Sequence, residues 1–179
     1  MSKISEALTA AEVAAVVSEA LESAGLDAVL SGGSVVTIYS YNEYESFDLD
    51  FVTNERMDQL AKVMKSLGFN RASGRHFEHP RSRYYVEFPA GPLAVGDQPV
   101  RETARLPTSL GSIRILTPTQ CVMDRLAAFY HWSDRQGLDQ ALMVARLHDI
   151  DREAIKEWSI REGRVAEFDE FARLLKSAG

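Results

Sequence analysis

Apolar residues recur at helical spacing along Ser5–Ala24. Val13, Val16, Val17, Ala20, Leu21 and Ala24 fall on one face, and Gly25 is a natural stop. The period then shortens. Ala28–Ser31 reads as a short strand, and Gly32-Gly33-Ser34 breaks it. Val35–Tyr39 fits either helix or strand by periodicity alone, and its β-branched content favours strand. Phe47–Val52 alternates cleanly: Phe47, Leu49 and Phe51 point one way, Asp48 and Asp50 the other. Met57, Leu60, Val63, Met64 and Leu67 predict a second amphipathic helix, stopped by Gly68.

Phe69–Pro80 reads as a strand and a turn. Tyr84–Phe88 is another strand, ended by Pro89, Gly91 and Pro92. Gly96–Pro107 is polar and loop-like, Ser112–Leu116 is a short strand, and Thr117-Pro118-Thr119 is a helix start. From there the pattern is helical over about 119–132, 134–147, 151–161 and 164–177. This order predicts an α/β (α+β) fold: a small mixed sheet with flanking helices and a helical C-terminal block. A boundary near residue 117 divides a core, 1–116, from a helical region, 117–179, that is expected to pack on it.

Charge narrows the functional classes. The 179 residues carry a net charge of −6. Residues 1–100 hold 8 Lys and Arg against 14 Asp and Glu, whereas residues 101–179 hold 12 of each. A protein that grips duplex DNA without sequence preference needs a basic footprint, so duplex DNA is not an expected partner. An acidic first part is compatible with a site for cations and, through them, phosphates. No apolar run approaches the ~20 residues of a membrane span, so no membrane partner is expected. Met1–Ala11 does not read as a signal peptide. The single cysteine, Cys121, excludes an intrachain disulfide and a thiolate zinc cluster and reads as a core residue. A cytoplasmic location is the expectation.

The most informative stretch is Ser31–Val52. A Gly-Gly-Ser turn is followed, after 13 residues, by Asp48-Leu49-Asp50-Phe51. Two aspartates two apart on a strand share a face and offer carboxylate oxygens to hard cations. Phe47, Leu49 and Phe51 would anchor the other face. A Gly-Gly-Ser turn opening a helix offers backbone N–H groups and a hydroxyl to a phosphate. The plainer alternatives are a structural turn and a solvated strand face. P-loop and dinucleotide-fold patterns are absent, as are the motifs of Cys-His and Ser-His-Asp catalysis.

These residues resemble the nucleotidyltransferase superfamily, whose fold is that of the DNA polymerase beta palm. Its hallmark is Gly-Gly/Ser followed by acid–apolar–acid, matched by Gly33-Ser34 and Asp48-Leu49-Asp50. The resemblance implies that Val35–Tyr39 is helical. It also implies a third carboxylate on a later strand, and Val86-Glu87-Phe88 makes Glu87 the candidate. In particular, the chain resembles small bacterial nucleotidyltransferase-like proteins related to abortive-infection toxins. That likeness extends to Asp124-Arg125-Leu126 and His131-Trp132-Ser133-Asp134-Arg135, where Arg125 and Asp134 take the place of a lysine and an acid.

What the resemblance implies is metal-dependent transfer of a nucleoside monophosphate from an NTP to an RNA, protein or small-molecule acceptor. Asp48, Asp50 and Glu87 would be the catalytic and metal-binding acids, with Mg²⁺ or Mn²⁺ as cofactor. Gly32, Gly33, Ser34, Arg125 and Asp134 would bind the nucleotide. Alternatives are a non-catalytic module of the same fold, antitoxin-like and acting on a partner protein, and an unrelated metal-dependent hydrolase. Arg71, Arg75, His76, His79, Arg81 and Arg83 form a basic cluster expected to border the same cleft or to be a solvated hairpin. His76 and His79 lack a third ligand nearby in sequence, so zinc is not expected.

Overall fold

Leu49 and Phe51 are fully buried, while Asp48 and Asp50 between them are only half-buried. The strand that carries them, β2 (Asp48–Val52), is the middle of a seven-stranded sheet. The computed structural model describes residues 4–177. In chain order it contains α1 (Ala10–Ser23), β1 (Val29–Ser31), α2 (Gly33–Tyr39), β2, α3 (Met57–Ser66), β3 (Asn70–Ser73), β4 (His76–Glu78) and β5 (Tyr85–Glu87). A small ribbon, β6 (Ala94–Val95) with β7 (Gln98–Pro99), precedes β8 (Ala104–Thr108) and β9 (Gly111–Ile115). Four helices follow: α4 (Pro118–Trp132), α5 (Arg135–Leu147), α6 (Arg152–Arg161) and α7 (Val165–Ser177).

The sheet order is β3-β4-β5-β2-β1-β9-β8. Two pairings are parallel, β2 with β5 and β1 with β9, and the others are antiparallel. This is the expected mixed sheet with flanking helices and a helical C-terminal block. The helices pack into the same core as the strands. One continuous cluster joins Val17 and Leu21 of α1, Leu30, Phe51, Val86 and Ile115 of the sheet, Leu126 and Leu138 of α4 and α5, and Trp158 and Phe171 of the last two.

Local chemistry sets the boundaries. Helix α1 begins at Ala10 rather than near Ser5, because Thr9 accepts from the Glu12 amide and the Glu12 carboxylate accepts from the Thr9 amide. Thr117 and Gln120 repeat this device at α4, with Pro118 in the first turn. The polar stretch 96–107 is not all loop: β8 begins at Ala104 and pairs along its length with β9. Pro107 sits there on an edge strand, where its missing N–H costs least.

Val35–Tyr39 lies in helix α2 despite its β-branched residues. Gly32 at φ 74° turns the chain out of β1, a conformation few other residues adopt. Val35, Val36, Thr37 and Tyr39 are then buried, and the Tyr39 hydroxyl donates to the Leu116 carbonyl at 2.7 Å. Burial against α5 and the sheet outweighs the few tenths of a kcal/mol by which β-branched residues disfavour a helix.

Candidate active site

The parallel register of β2 and β5 places Asp48 beside Tyr85 and Asp50 beside Glu87. Val86, like Leu49 and Phe51, is fully buried, so Asp48, Asp50, Tyr85 and Glu87 share the opposite face. Tyr85 stands beside Asp48, whose carboxylate, with burial and the other acids, pushes the phenol up to about 12. Burial pushes Asp50 up to about 6, and the charges of Glu87 and Asp48 add to the rise. Arg125 of α4 opposes it, and Asp124 adds a further negative charge.

Gly32 closes one side of this group. A Cβ there would stand 2.8 Å from Asp50 Oδ2, so the turn has to be glycine both for its φ and for its contact. Gly33 follows at the start of α2, where a Cβ would meet Ser46 Oγ at 3.4 Å and Tyr44 Cε1 at 3.6 Å. The Ser34 side chain turns the other way. It is fully buried, and its hydroxyl donates to the Ser31 carbonyl at 3.3 Å. The hydroxyl expected to face a phosphate is thus engaged inside the fold, and what this turn offers outward is backbone.

Arg125 is mostly enclosed. It pairs with Asp124, with Nε donating at 3.1 Å, and reaches Gln140 Oε1 at 3.4 Å. Burial works against its charge, but Asp124 more than compensates and its pKa is raised. Asp134 does not join this group. It is exposed and caps α5 by accepting from the Gln136 amide at 3.0 Å.

One member of the basic cluster pairs directly with a site acid. His76 on β4 pairs across the sheet with Glu87. Its Nδ1 lies 2.9 Å from Glu87 Oε1 and its Nε2 lies 3.1 Å from Glu78 Oε1. A carboxylate on each side favours the protonated ring, and the hydrogen bond to Glu87 raises the imidazole pKa. Arg71 donates to the Gly74 carbonyl within its own hairpin, and Arg75 donates to the Phe88 carbonyl. Arg83 pairs with Glu45 at 2.9 Å and lies over the Phe47 and Tyr84 rings. His79 is buried against Phe69 and forms no pair with His76. Cys121 is buried, which pushes its thiol up.

Sequence reasoning did not single out His76 as a neighbour of Glu87, nor Tyr44 and Ser46 as neighbours of Gly33. Each contact depends on strand register or on a loop path that no periodicity encodes. A groove of about 630 Å³ lies elsewhere, between the β6–β7 ribbon, the start of α4 and α6. None of the three acids lines it. Among the described residues, no three His, Cys, Asp or Glu side chains form a ready-made metal cage. No helix among the described residues is long and apolar enough to cross a membrane.

No protein-family model and no curated protein sequence matches the chain. Solved structures do. An antigenic nucleotidyltransferase-like protein from Paracoccidioides brasiliensis superposes with a TM-score of 0.56 at 14% identity, covering 78% of this chain and 78% of its own. The antibiotic-resistance factor ANT(2'')-Ia, solved in complex with adenylyl-2''-tobramycin, gives a TM-score of 0.47 at 12% identity over 88% of this chain and 93% of its own. A tRNA nucleotidyltransferase complexed with a primer tRNA and an incoming ATP analogue gives 0.34 at 19% identity, over 90% and 60%. The chain shares its fold with the Paracoccidioides nucleotidyltransferase-like protein.

Proposed function

We propose that the chain transfers a nucleoside monophosphate from an NTP to an acceptor hydroxyl, using the acid face of β2 and β5. The observation that carries this reading is the placement of Asp48, Asp50 and Glu87 on one face, with Asp50 pressed against the Gly32 turn. Burial and the neighbouring charges of Glu87 and Asp48 raise the proton affinity of Asp50, and carboxylate oxygens on one face are suited to a hard cation. Asp48 and Asp50 would hold Mg²⁺ or Mn²⁺, with the nucleotide phosphates supplying ligands that the protein does not. When bound, the metal would neutralise phosphate charge and orient the α-phosphate for in-line attack.

The protein's own groups account for the rest. Backbone N–H groups at Gly33 and Ser34 face the nucleotide phosphates. Arg125 sets a positive charge beside Asp50 and the phosphates. Glu87, whose side chain is 45% exposed, accepts the proton of the acceptor hydroxyl. The acceptor oxygen bonds to the α-phosphorus, the bond to the β-phosphate bridge breaks, and pyrophosphate leaves. Resemblance to toxin-system proteins points to RNA or protein as the acceptor class.

Incubation with each α-labelled NTP, Mg²⁺, total RNA and total protein tests the reading. Label joined to a macromolecule, and lost with Asp48→Asn, is the expected result. Label that stays on free nucleotide under every condition would contradict it. The inward-turned Ser34 hydroxyl favours a second reading, a nucleotide-binding module without transfer. That reading expects Mg²⁺-NTP to raise the melting temperature while no label moves.

A further inference from the structure

We propose that His76 is a positioning residue that tethers the Glu87 carboxylate, holding it apart from the Asp48–Asp50 pair and turned toward the acceptor. The proposal deepens the transfer reading above and rests on it.

The ring of His76 is fixed on three sides. Glu87 lies 2.9 Å from one nitrogen and Glu78 3.1 Å from the other. Its ring packs at a tilt on Tyr85, with ring centroids 4.6 Å apart, and Tyr85 in turn pairs in register with Asp48. The His76 side chain is 19% exposed, against 45% for Glu87 and 64% for Glu78. It is the enclosed hub of the group and its carboxylate neighbours are the open ends. It also sits on β4, an internal strand, directly opposite Glu87 in an antiparallel pair.

A glutamate in that position needs such a tether. Its side chain has three rotatable bonds, and holding it in one geometry costs rotamer entropy that a fixed donor offsets. Untethered, the carboxylate would swing toward any cation that Asp50 holds and become one more metal ligand. Tethered through Oε1, it keeps Oε2 for an acceptor hydroxyl.

The test compares wild type, His76→Phe, His76→Asn and the double variant His76→Phe/Glu87→Gln. Phe keeps a ring against Tyr85 and removes both donors. Asn places an amide N–H near the position of Nδ1. Two readouts are taken: kcat and KM for label transfer, and Mn²⁺ affinity without nucleotide, measured by electron paramagnetic resonance. His76→Phe is expected to lower kcat about 10–100-fold, the usual range for a group that orients a functional carboxylate, and to leave the KM for NTP unchanged. His76→Asn should recover most of that loss. Mn²⁺ should bind several-fold more tightly to His76→Phe, and adding Glu87→Gln should remove the gain. The tether is overturned if folded His76→Phe keeps its wild-type Mn²⁺ affinity, or if His76→Asn is no better than His76→Phe. A wild-type protein without transfer activity would sink the transfer reading alone, because the Mn²⁺ comparison still decides the tether.

Discussion

Two groups of acids lie on this molecule, and the fold treats them oppositely. Along α1, Glu12, Glu19 and Glu22 face the β8–β9 hairpin and are matched by it. Glu12 accepts from Ser109 at 2.9 Å, Glu19 from the Ser112 amide at 2.9 Å, and Glu22 pairs with Arg105 at 2.9 Å. Hydrogen bonds from Thr9 and Ser109 hold Glu12 below the usual carboxylate range. Across the sheet, Asp48, Asp50 and Glu87 are set against one another, and Asp50 is pushed up to about 6. Acids that join an element to its neighbours gain from being charged. Acids gathered where their charges conflict are costly to the fold and suited to a cation from outside.

The contrast breaks most sharply at Asp48. Asp48→Asn is expected to lower transfer by about a thousandfold or more, the several kcal/mol that a lost metal-binding charge removes from transition-state stabilisation. Steady-state rates with α-labelled NTP check it, and circular dichroism should show an unchanged fold. Gly32→Ala comes next. It forces a side chain into a positive φ and within 2.8 Å of Asp50 Oδ2. A loss of about 2–3 kcal/mol in urea unfolding is expected, with activity impaired in the remaining folded protein.

Asp50→Asn should move stability the other way. Asp50 titrates near 6 in the folded chain against an ordinary 3.8, so its contribution is full below pH 3.8 and is lost as pH rises through about 6. The variant should therefore match wild type near pH 3.8 and exceed it above pH 6 by about 1–2 kcal/mol, a figure discounted for solvent screening. Melting temperatures across that pH range check the crossover. The smallest effect belongs to the matched group. Glu19→Ala leaves the Ser112 amide without this acceptor and should cost about 1 kcal/mol at every pH where the glutamate is charged.

The carboxylates of β2 were legible in the sequence because a strand with one buried face writes its burial as a period of two. Leu49 and Phe51 had to be core, so Asp48 and Asp50 had to share the other face. Helix α2 was not legible that way. Val35, Val36 and Thr37 read as strand by propensity, and only the fold implied by Gly33-Ser34 and the two aspartates pointed to a helix. Strand β8 was hidden because its alternation is short and faint: Ala104 and Leu106 are only partly buried, and Arg105 and Pro107 between and beside them are exposed. His76 was visible as a residue but not as a neighbour of Glu87, since their pairing is a matter of register between β4 and β5. Ser34 matched the motif in sequence, yet its hydroxyl direction is set by the buried first turn of α2.

Calorimetric titration of Mg²⁺-NTP into wild type and Asp48→Asn decides whether the acids of β2 hold a metal–nucleotide complex. Metal-dependent nucleotide binding is expected in wild type. In Asp48→Asn that binding should be lost at an unchanged melting temperature. Equal binding by the two proteins, or no metal-dependent binding at millimolar nucleotide, would contradict it.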